Sequence, residues 1–365
     1  MAVLRVAMTL EQLWHRVPGG TAVAALGMAR HLKDFPGIEL VGVAARHPKQ
    51  PPEDWRPPVE VFELPLPRVL LYRAWHRFRR PRVQLATSKV DVIHATSAAI
   101  PPKSAPLVIT VHDLAWLKDP SHFTPRGLSF FRRGLAVARR DADLVLCSSQ
   151  ATARDCEEVG WPSERLRVVP LGTDGVQARD AAIATVRSRY ELTRDYILWT
   201  GTIEPRKNLP RLLEAYISLD TDLDLVLCGP RGWNEDLEAL VSPVRNRVKL
   251  LGFVPHADLA PLYAGARVFC WPSLREGFGF PVLEAMAQGT PVVTSRGTST
   301  EEIAGDAAVL VEPTDTAAIA AGIERILGDA SLDAKLADAG RARAREFSWE
   351  RTARRVAEAY AEVSD

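Results

Sequence analysis

Short apolar runs alternate with longer stretches of helical periodicity from one end of the chain to the other. In the first half the runs are "VLRVAM" (3–8), "ELVGVAA" (39–45), "DVIHAT" (91–96), "LVITVHD" (107–113), "LVLCSS" (144–149) and "RVVPLG" (167–172). The second half has "YILWTG" (196–201), "LDLVLCG" (223–229), "VKLLGF" (248–253), "VFCWPS" (268–273), "PVVTS" (291–295) and "AAVLVEP" (307–313). Most are apolar at consecutive positions and do not alternate, the pattern of strands buried on both faces of a parallel sheet. Amphipathic segments such as "NLPRLLEAYISL" (208–219) and "HADLAPLYAGA" (256–266) fall between them. Each half therefore predicts a doubly wound α/β unit with its own sheet.

The break falls near residues 175–195, which are polar and carry no strand pattern. This predicts domains at 1–178 and 179–347, with a final helix at 348–365 returning to the first. Open parallel sheets bind ligands beyond the carboxyl ends of their strands, so both domains are expected to face one cleft. The proline-rich piece 48–68 reads as an extended surface loop.

Composition narrows the class. A chain of 365 residues exceeds one ordinary core, and 47% hydrophobic residues with a formal charge of +1 describe a soluble globular protein. The four cysteines form no CxxC pair, which suggests buried thiols in a reducing compartment. The N-terminal residues lack a signal-peptide pattern, and no stretch of about 18 apolar residues occurs, so a cytoplasmic location is expected.

Two stretches carry chemistry. In "WTGTIEPRKNLPRLLEAY" (199–216) a strand ends, a polar turn follows, and a helix begins near Asn208. Arg206 and Lys207 sit just before that helix N-terminus, where backbone N–H groups and the helix dipole favour an anion. A diphosphate leaving group needs fixed cations or a metal. The DxD triplets at 141–143 and 222–224 lead into strands and so lie at the wrong ends for a metal, leaving Arg206 and Lys207 as charge stabilisers. The second stretch, "REGFGFPVLEAMAQGTPVV" (275–293), reads strand, loop, helix, opening at Phe280 or Pro281. Gly277 and Gly279 permit close backbone approach to a ligand. Glu276 in the loop can accept hydrogen bonds from sugar hydroxyls, and Glu284, a turn into the helix, can take two adjacent ribose hydroxyls.

"EGFGFPVLE" together with "GTIEPRKNL" resembles the signature of family 4 retaining glycosyltransferases. "VHDLAWL" (111–117), "LRVVPLGTD" (166–174) and the glycine loop in "PGGTAVAALGMARHL" (18–32) match the same layout. The resemblance covers essentially the whole chain. It implies the GT-B fold, two Rossmann-like doubly wound α/β domains facing across a cleft. It also implies that Glu276 contacts the donor sugar, Glu284 holds the nucleotide ribose, and Arg206 and Lys207 neutralise the diphosphate. Gly19 and Gly20 belong to the donor site, as do Gly277, Phe278 and Gly279; backbone N–H groups around Phe280 and Pro281 grip the sugar hydroxyls. His112 reaches the donor sugar from the first domain. No side chain stands out as a covalent nucleophile. The family's retaining chemistry has the acceptor attack on the face that the diphosphate leaves. No cofactor or metal is expected.

Within this resemblance, "GTIEPRKNL", "VHDLAWL" and "SSQATARD" are similar to bacterial polysaccharide mannosyltransferases, which implies GDP-mannose as donor, with a UDP-sugar next, and a glycan or lipid-linked acceptor. A nucleotide-sugar 2-epimerase, a sugar-phosphate synthase and a non-catalytic sugar-nucleotide binding protein remain alternatives. A dinucleotide-dependent oxidoreductase should show GxGxxG after the first strand, which "VAMTLEQLWHRVPGG" lacks. Arginine-rich stretches at 70–84 and 126–140, interleaved with Tyr72, Trp75, Phe78, Phe130 and Phe131, suggest peripheral contact with the inner face of the membrane. Nothing resembles a nucleic-acid module.

Overall fold

The computed structural model describes residues 3–232, 238 and 241–364. The chain forms two compact units: Met1–Gly172 with Trp349–Asp365, and Thr173–Ser348. The divisions lie at 172/173 and 348/349, where the sequence pattern puts them at 178/179 and 347/348. Within the stretch 175–195 a helix forms over Asp180–Arg189 and belongs to the second unit.

In the first unit the strands are β1 (Leu4–Thr9), β2 (Ile38–Ala45), β3 (Val61–Leu64), β4 (Val92–Ala95), β5 (Leu107–Val111), β6 (Leu144–Cys147) and β7 (Leu166–Val168). They form one sheet in the order β3-β2-β1-β4-β5-β6-β7, every pair parallel. The second unit pairs β8 (Tyr196–Thr200), β9 (Asp224–Cys228), β10 (Val248–Gly252), β11 (Val268–Trp271), β12 (Val292–Ser295) and β13 (Val309–Val311) in the order β10-β9-β8-β11-β12-β13, again parallel. The interior strands β4, β6, β8, β9, β11 and β12 are buried at every residue, which explains their unbroken apolar sequences. Strand order reverses at β1/β4 in one sheet and at β8/β11 in the other, so each has a topological switch point there.

One expectation fails. The piece 48–68 is not a loop throughout: Val61–Leu64 is β3, pairing with Gly42–Ala45. Prolines at 57, 58, 65 and 67 flank "VFEL" without entering it, and an edge strand tolerates such neighbours.

The C-terminal helix Trp349–Ser364 belongs to the first unit. Its Tyr360 hydroxyl lies 2.7 Å from Nδ1 of buried His94, and the other ring nitrogen meets Thr110 at 2.8 Å. At Gly27, in the helix Gly20–Leu32, a Cβ would come within 2.4–2.5 Å of the Trp349 ring, so glycine lets the two helices close.

Candidate active site

The switch point of the second sheet holds the residues that the two motifs single out. After β8, residues Pro205–Lys207 make a single 3₁₀ turn and Asn208 adopts a left-handed backbone at φ 59°, starting the helix Leu209–Ser218. The turn is tied to the loop after β11: Leu274 N donates to Arg206 O at 2.8 Å, and Ser273 Oγ does so at 2.9 Å. Arg206 and Lys207 thereby meet Glu276. Lys207 Nζ lies 2.5 Å from Glu276 Oε1, and Arg206 Nη1 lies 3.0 Å from Oε2. Glu204, absent from the sequence-based assignment, holds Arg206 Nε at 2.7 Å. Two cations and two carboxylates thus form one network, with side chains no more than 18% exposed.

This arrangement differs from the separate roles read from sequence, in which the cations face phosphate and Glu276 faces sugar. The two cations and Glu276 face one another, because buried charges demand partners. Burial alone would raise the pKa of Glu276. The charges of Lys207 and Arg206, with hydrogen bonds from Lys207 and Ser273, outweigh burial and hold it at about 2. Burial and the Arg206 charge lower the pKa of Lys207, against the pull of Glu276 and Glu204. The Lys207 ammonium also lies 4.9 Å from the centroid of the Trp271 ring.

Glu284 occupies the first turns of the helix Phe280–Gln288 and accepts a hydrogen bond from the Tyr263 hydroxyl at 2.8 Å. Tyr263, on the helix His256–Ala264, also meets Thr200 at 2.8 Å. Burial raises the pKa of Glu284, with the Tyr263 hydrogen bond and His256 opposing. Gly279 caps the helix at φ +115°, and a Cβ there would press on Thr300 at 3.0 Å, so both backbone and packing require glycine. The proposed backbone grip needs correction at Pro281, which has no N–H. The N–H groups of Val282 and Leu283 already donate to Gly279 O. Pro281 instead presets the first helical turn. Phe278 is buried against Phe280 and Phe347, at 5.3 and 6.0 Å between ring centroids, so it supports the loop as core.

His112 and the glycines Gly19 and Gly20 lie in the first unit. His112 directly follows β5, and its Nε2 donates to Thr96 O at 3.1 Å. A carbonyl only accepts, so the neutral ring carries its proton on Nε2 and offers Nδ1 as an acceptor. Burial lowers the pKa of the ring, opposed by the Thr96 carbonyl and Asp113. The His112 carbonyl is held by Ser148 and Thr152 hydroxyls at 3.1 and 3.2 Å. Gly19 caps the helix Gly20–Leu32 in extended backbone, and a Cβ there would meet nothing within 4 Å. Neither strain nor the protein's own packing accounts for that glycine.

Three of the DxD aspartates serve structure, and Asp222 is exposed. Asp141 binds Arg79 at 2.7 Å, Asp143 accepts from Leu107 N at 2.8 Å, and buried Asp224 opens β9. Glu204 stood inside the quoted motif, where its proximity to Arg206 was the available signal. Tyr263 had none, being 21 residues from Glu284 on a separate helix.

Residues 18–175 match Glycosyltransferase Family 4, and residues 185–343 match Glycosyl transferases group 1. The O-antigen chain mannosyltransferase B of Escherichia coli is 34% identical over 300 residues, covering 79% of this chain and 78% of that protein. The MMP alpha-(1->4)-mannosyltransferase of Mycolicibacterium hassiacum is 32% identical over 279 residues, covering 70% and 65%. Among solved structures, Anabaena HepE in complex with UDP and glucose has a TM-score of 0.77 at 21% identity, covering 98% of this chain and 100% of that one. WaaG, a glycosyltransferase involved in lipopolysaccharide biosynthesis, has a TM-score of 0.71 at 17% identity, covering 98% and 99%. The two parallel doubly wound sheets are those of a GT-B glycosyltransferase. Within that class, the chain belongs to glycosyltransferase family 4, with bacterial mannosyltransferases among its relatives.

Proposed function

We propose that the protein transfers a hexose, with retention and without a metal, from a nucleotide sugar to a glycan or lipid-linked acceptor. GDP-mannose is the favoured donor, because the relatives named above are mannosyltransferases; a UDP-sugar is second, HepE having been solved with UDP. The observation that carries this reading is the Glu204–Arg206–Lys207–Glu276 network at the β8/β11 switch point. Two cations held there by backbone and carboxylates are preorganised, so stabilising a leaving diphosphate requires little reorganisation at the moment of reaction. An arriving phosphate oxygen competes with Glu276 for the Lys207 ammonium, freeing Glu276 to accept from a sugar hydroxyl. Glu284 takes the ribose hydroxyls, and His112 accepts from the donor sugar. Retention follows from attack on the face the diphosphate leaves, with a phosphate oxygen taking the acceptor proton; this rests on the family resemblance.

The test is turnover of a nucleotide-sugar panel, with product analysis, in excess EDTA. Transfer from GDP-mannose should persist, and Lys207→Ala should lose about 3 kcal/mol of transition-state stabilisation, roughly a hundredfold in rate. Activity abolished by EDTA and restored by a divalent ion overturns metal independence. Turnover confined to UDP-sugars overturns the donor assignment. Accumulation of an epimerised nucleotide sugar without acceptor product favours the epimerase alternative.

A further inference from the structure

Lys207 is 8% exposed, and its ammonium has two neighbours of different kinds. One is the Glu276 carboxylate, 2.5 Å away at Oε1. The other is the indole of Trp271, over which Nζ lies 4.9 Å from the ring centroid. Trp271 closes β11 and has no exposed surface. Its ring is held from several sides. Phe269, two residues earlier on the strand, stacks on it at 6.0 Å with planes 16° apart, and Trp199 of β8 lies 5.3 Å away. Gly201, just past β8, has φ +141°, and a Cβ there would come within 2.6 Å of the Trp271 ring. The glycine of "WTGTIEPRKNL" therefore makes room for the indole that lies beside Lys207.

The polar atom of this side chain does not account for its presence. Trp271 Nε1 is buried with no hydrogen-bond partner among the described residues, whereas a buried indole usually finds one. Phenylalanine would supply an apolar ring without that unpaired donor. What tryptophan adds is the π face that attracts a cation most strongly. Carboxylate and ring act differently on the ammonium. Glu276 attracts it and offsets its charge. The ring attracts it through a quadrupole and carries no net charge, so the positive charge stays available to a phosphate oxygen. Burial and the neighbouring Arg206 charge both work against the charged form of Lys207, with Glu276 and Glu204 favouring it.

We propose that Trp271 is a positioning residue for the donor diphosphate, its ring face holding the Lys207 ammonium in place when a phosphate oxygen takes over from Glu276. This rests on the transferase reading above, in which Lys207 meets the diphosphate. Trp271 acts through Lys207 and not by contact with the nucleotide. The preference for a nucleoside diphosphate over the bare nucleoside therefore depends on the ring at position 271.

The experiment is calorimetric titration of the full chain with GDP and guanosine, and with UDP and uridine, read as the ratio of diphosphate to nucleoside affinity. Trp271→Leu should lower that ratio about tenfold or more, and Trp271→Phe, which keeps a ring, should hold it within about threefold. In a Lys207→Ala background, Trp271→Leu should change the ratio no further, because the partner through which it acts is gone. A second comparison leaves the packing intact and decides the matter even where the leucine variant does not fold. Protein grown on 5-fluorotryptophan has a weaker π face of nearly the same shape, and its ratio should fall about twofold, while the same label in Trp271→Phe should leave the ratio unchanged. Equal ratios in the wild type and Trp271→Leu overturn the proposal, as does an equal loss with Phe and Leu. So does a loss that persists in the Lys207→Ala background, or a fluorine effect that is the same without Trp271. Failure of the transferase reading looks different: the wild type then binds neither GDP nor UDP more tightly than its nucleoside.

Discussion

Burial raises the pKa of Glu284, although the Tyr263 hydroxyl and His256 act against it. A raised folded-state pKa means that folding favours the protonated carboxyl. The penalty for keeping the carboxylate therefore appears as pH rises through the unfolded value and is complete above the folded one. At pH 7 Glu284 weighs against the fold, and in the reading proposed above the ribose hydroxyls donate to it. Glu284→Gln should accordingly raise the melting temperature while weakening nucleoside diphosphate binding by about 2 kcal/mol, roughly thirtyfold. Calorimetric titration beside thermal unfolding checks both halves. A variant that melts lower, or binds as tightly as the wild type, removes Glu284 from the ribose role. Glu276 behaves in the opposite sense. Its pKa of about 2 places its ion-pair stabilisation above the ordinary carboxylate range, to be lost only as pH falls from about 4.5 toward 2.

At the scale of elements, legibility followed unbroken apolar runs clear of prolines. Strands buried on both faces left unbroken apolar runs and were readable, whereas β3 has only Leu64 buried and lay among prolines that masked it. The two motif loops were readable because glycines and a proline set their geometry. The closure of Arg206 and Lys207 on Glu276 was not, because it joins segments 69–70 residues apart. The arginine-rich helices divide similarly. Arg79 is structural, donating to Trp75 O at 2.7 Å, Ile100 O at 2.8 Å and Asp141, and Trp75 is buried core. Tyr72 stacks on Phe130, and Phe131 packs against Trp116. What remains exposed on and beside the helix Arg68–Phe78 is Arg73, Arg77, Arg80 and Arg82 with Val69, Leu70 and Phe78, the last 67% exposed. Among the described residues no helix is long and apolar enough to cross a membrane. We propose that this face touches anionic lipid, each cation contributing about 1 kcal/mol. Co-sedimentation should show binding to phosphatidylglycerol vesicles, much less to phosphatidylcholine, and loss of binding on combining Arg73→Ala, Arg77→Ala and Phe78→Ala. Equal, negligible binding to both vesicle types removes the membrane contact.

At the scale of the molecule, the titrating groups are distributed unequally between the units. Burial lowers the pKa of His15 and His76 to about 4 and of His94 to about 3, and lowers that of His112; all four lie in the first unit. A histidine whose folded pKa is depressed is protonated first in the unfolded chain. Stability is therefore intact above about pH 6.5 and falls as pH drops toward the folded values. His94 concentrates the effect, because one nitrogen meets the Tyr360 hydroxyl of the C-terminal helix and the other meets Thr110. Protonation gives both nitrogens a proton to donate, which forces at least one hydroxyl to reorient in a buried site. In the second unit the shifted carboxylates respond differently over the same range: Glu276 stays ionised down to about pH 2, and Glu284 is relieved as pH falls. Lowering pH from 7 to 5 should loosen the first unit and spare the second. Hydrogen exchange read by mass spectrometry, corrected for the intrinsic pH dependence of exchange, should show peptides from β4, β5 and Trp349–Ser364 losing protection. Peptides from β8 and β11 should keep theirs. Equal loss in both units would mean that the buried histidines do not set the acid response, and His94→Gln should then leave it unchanged.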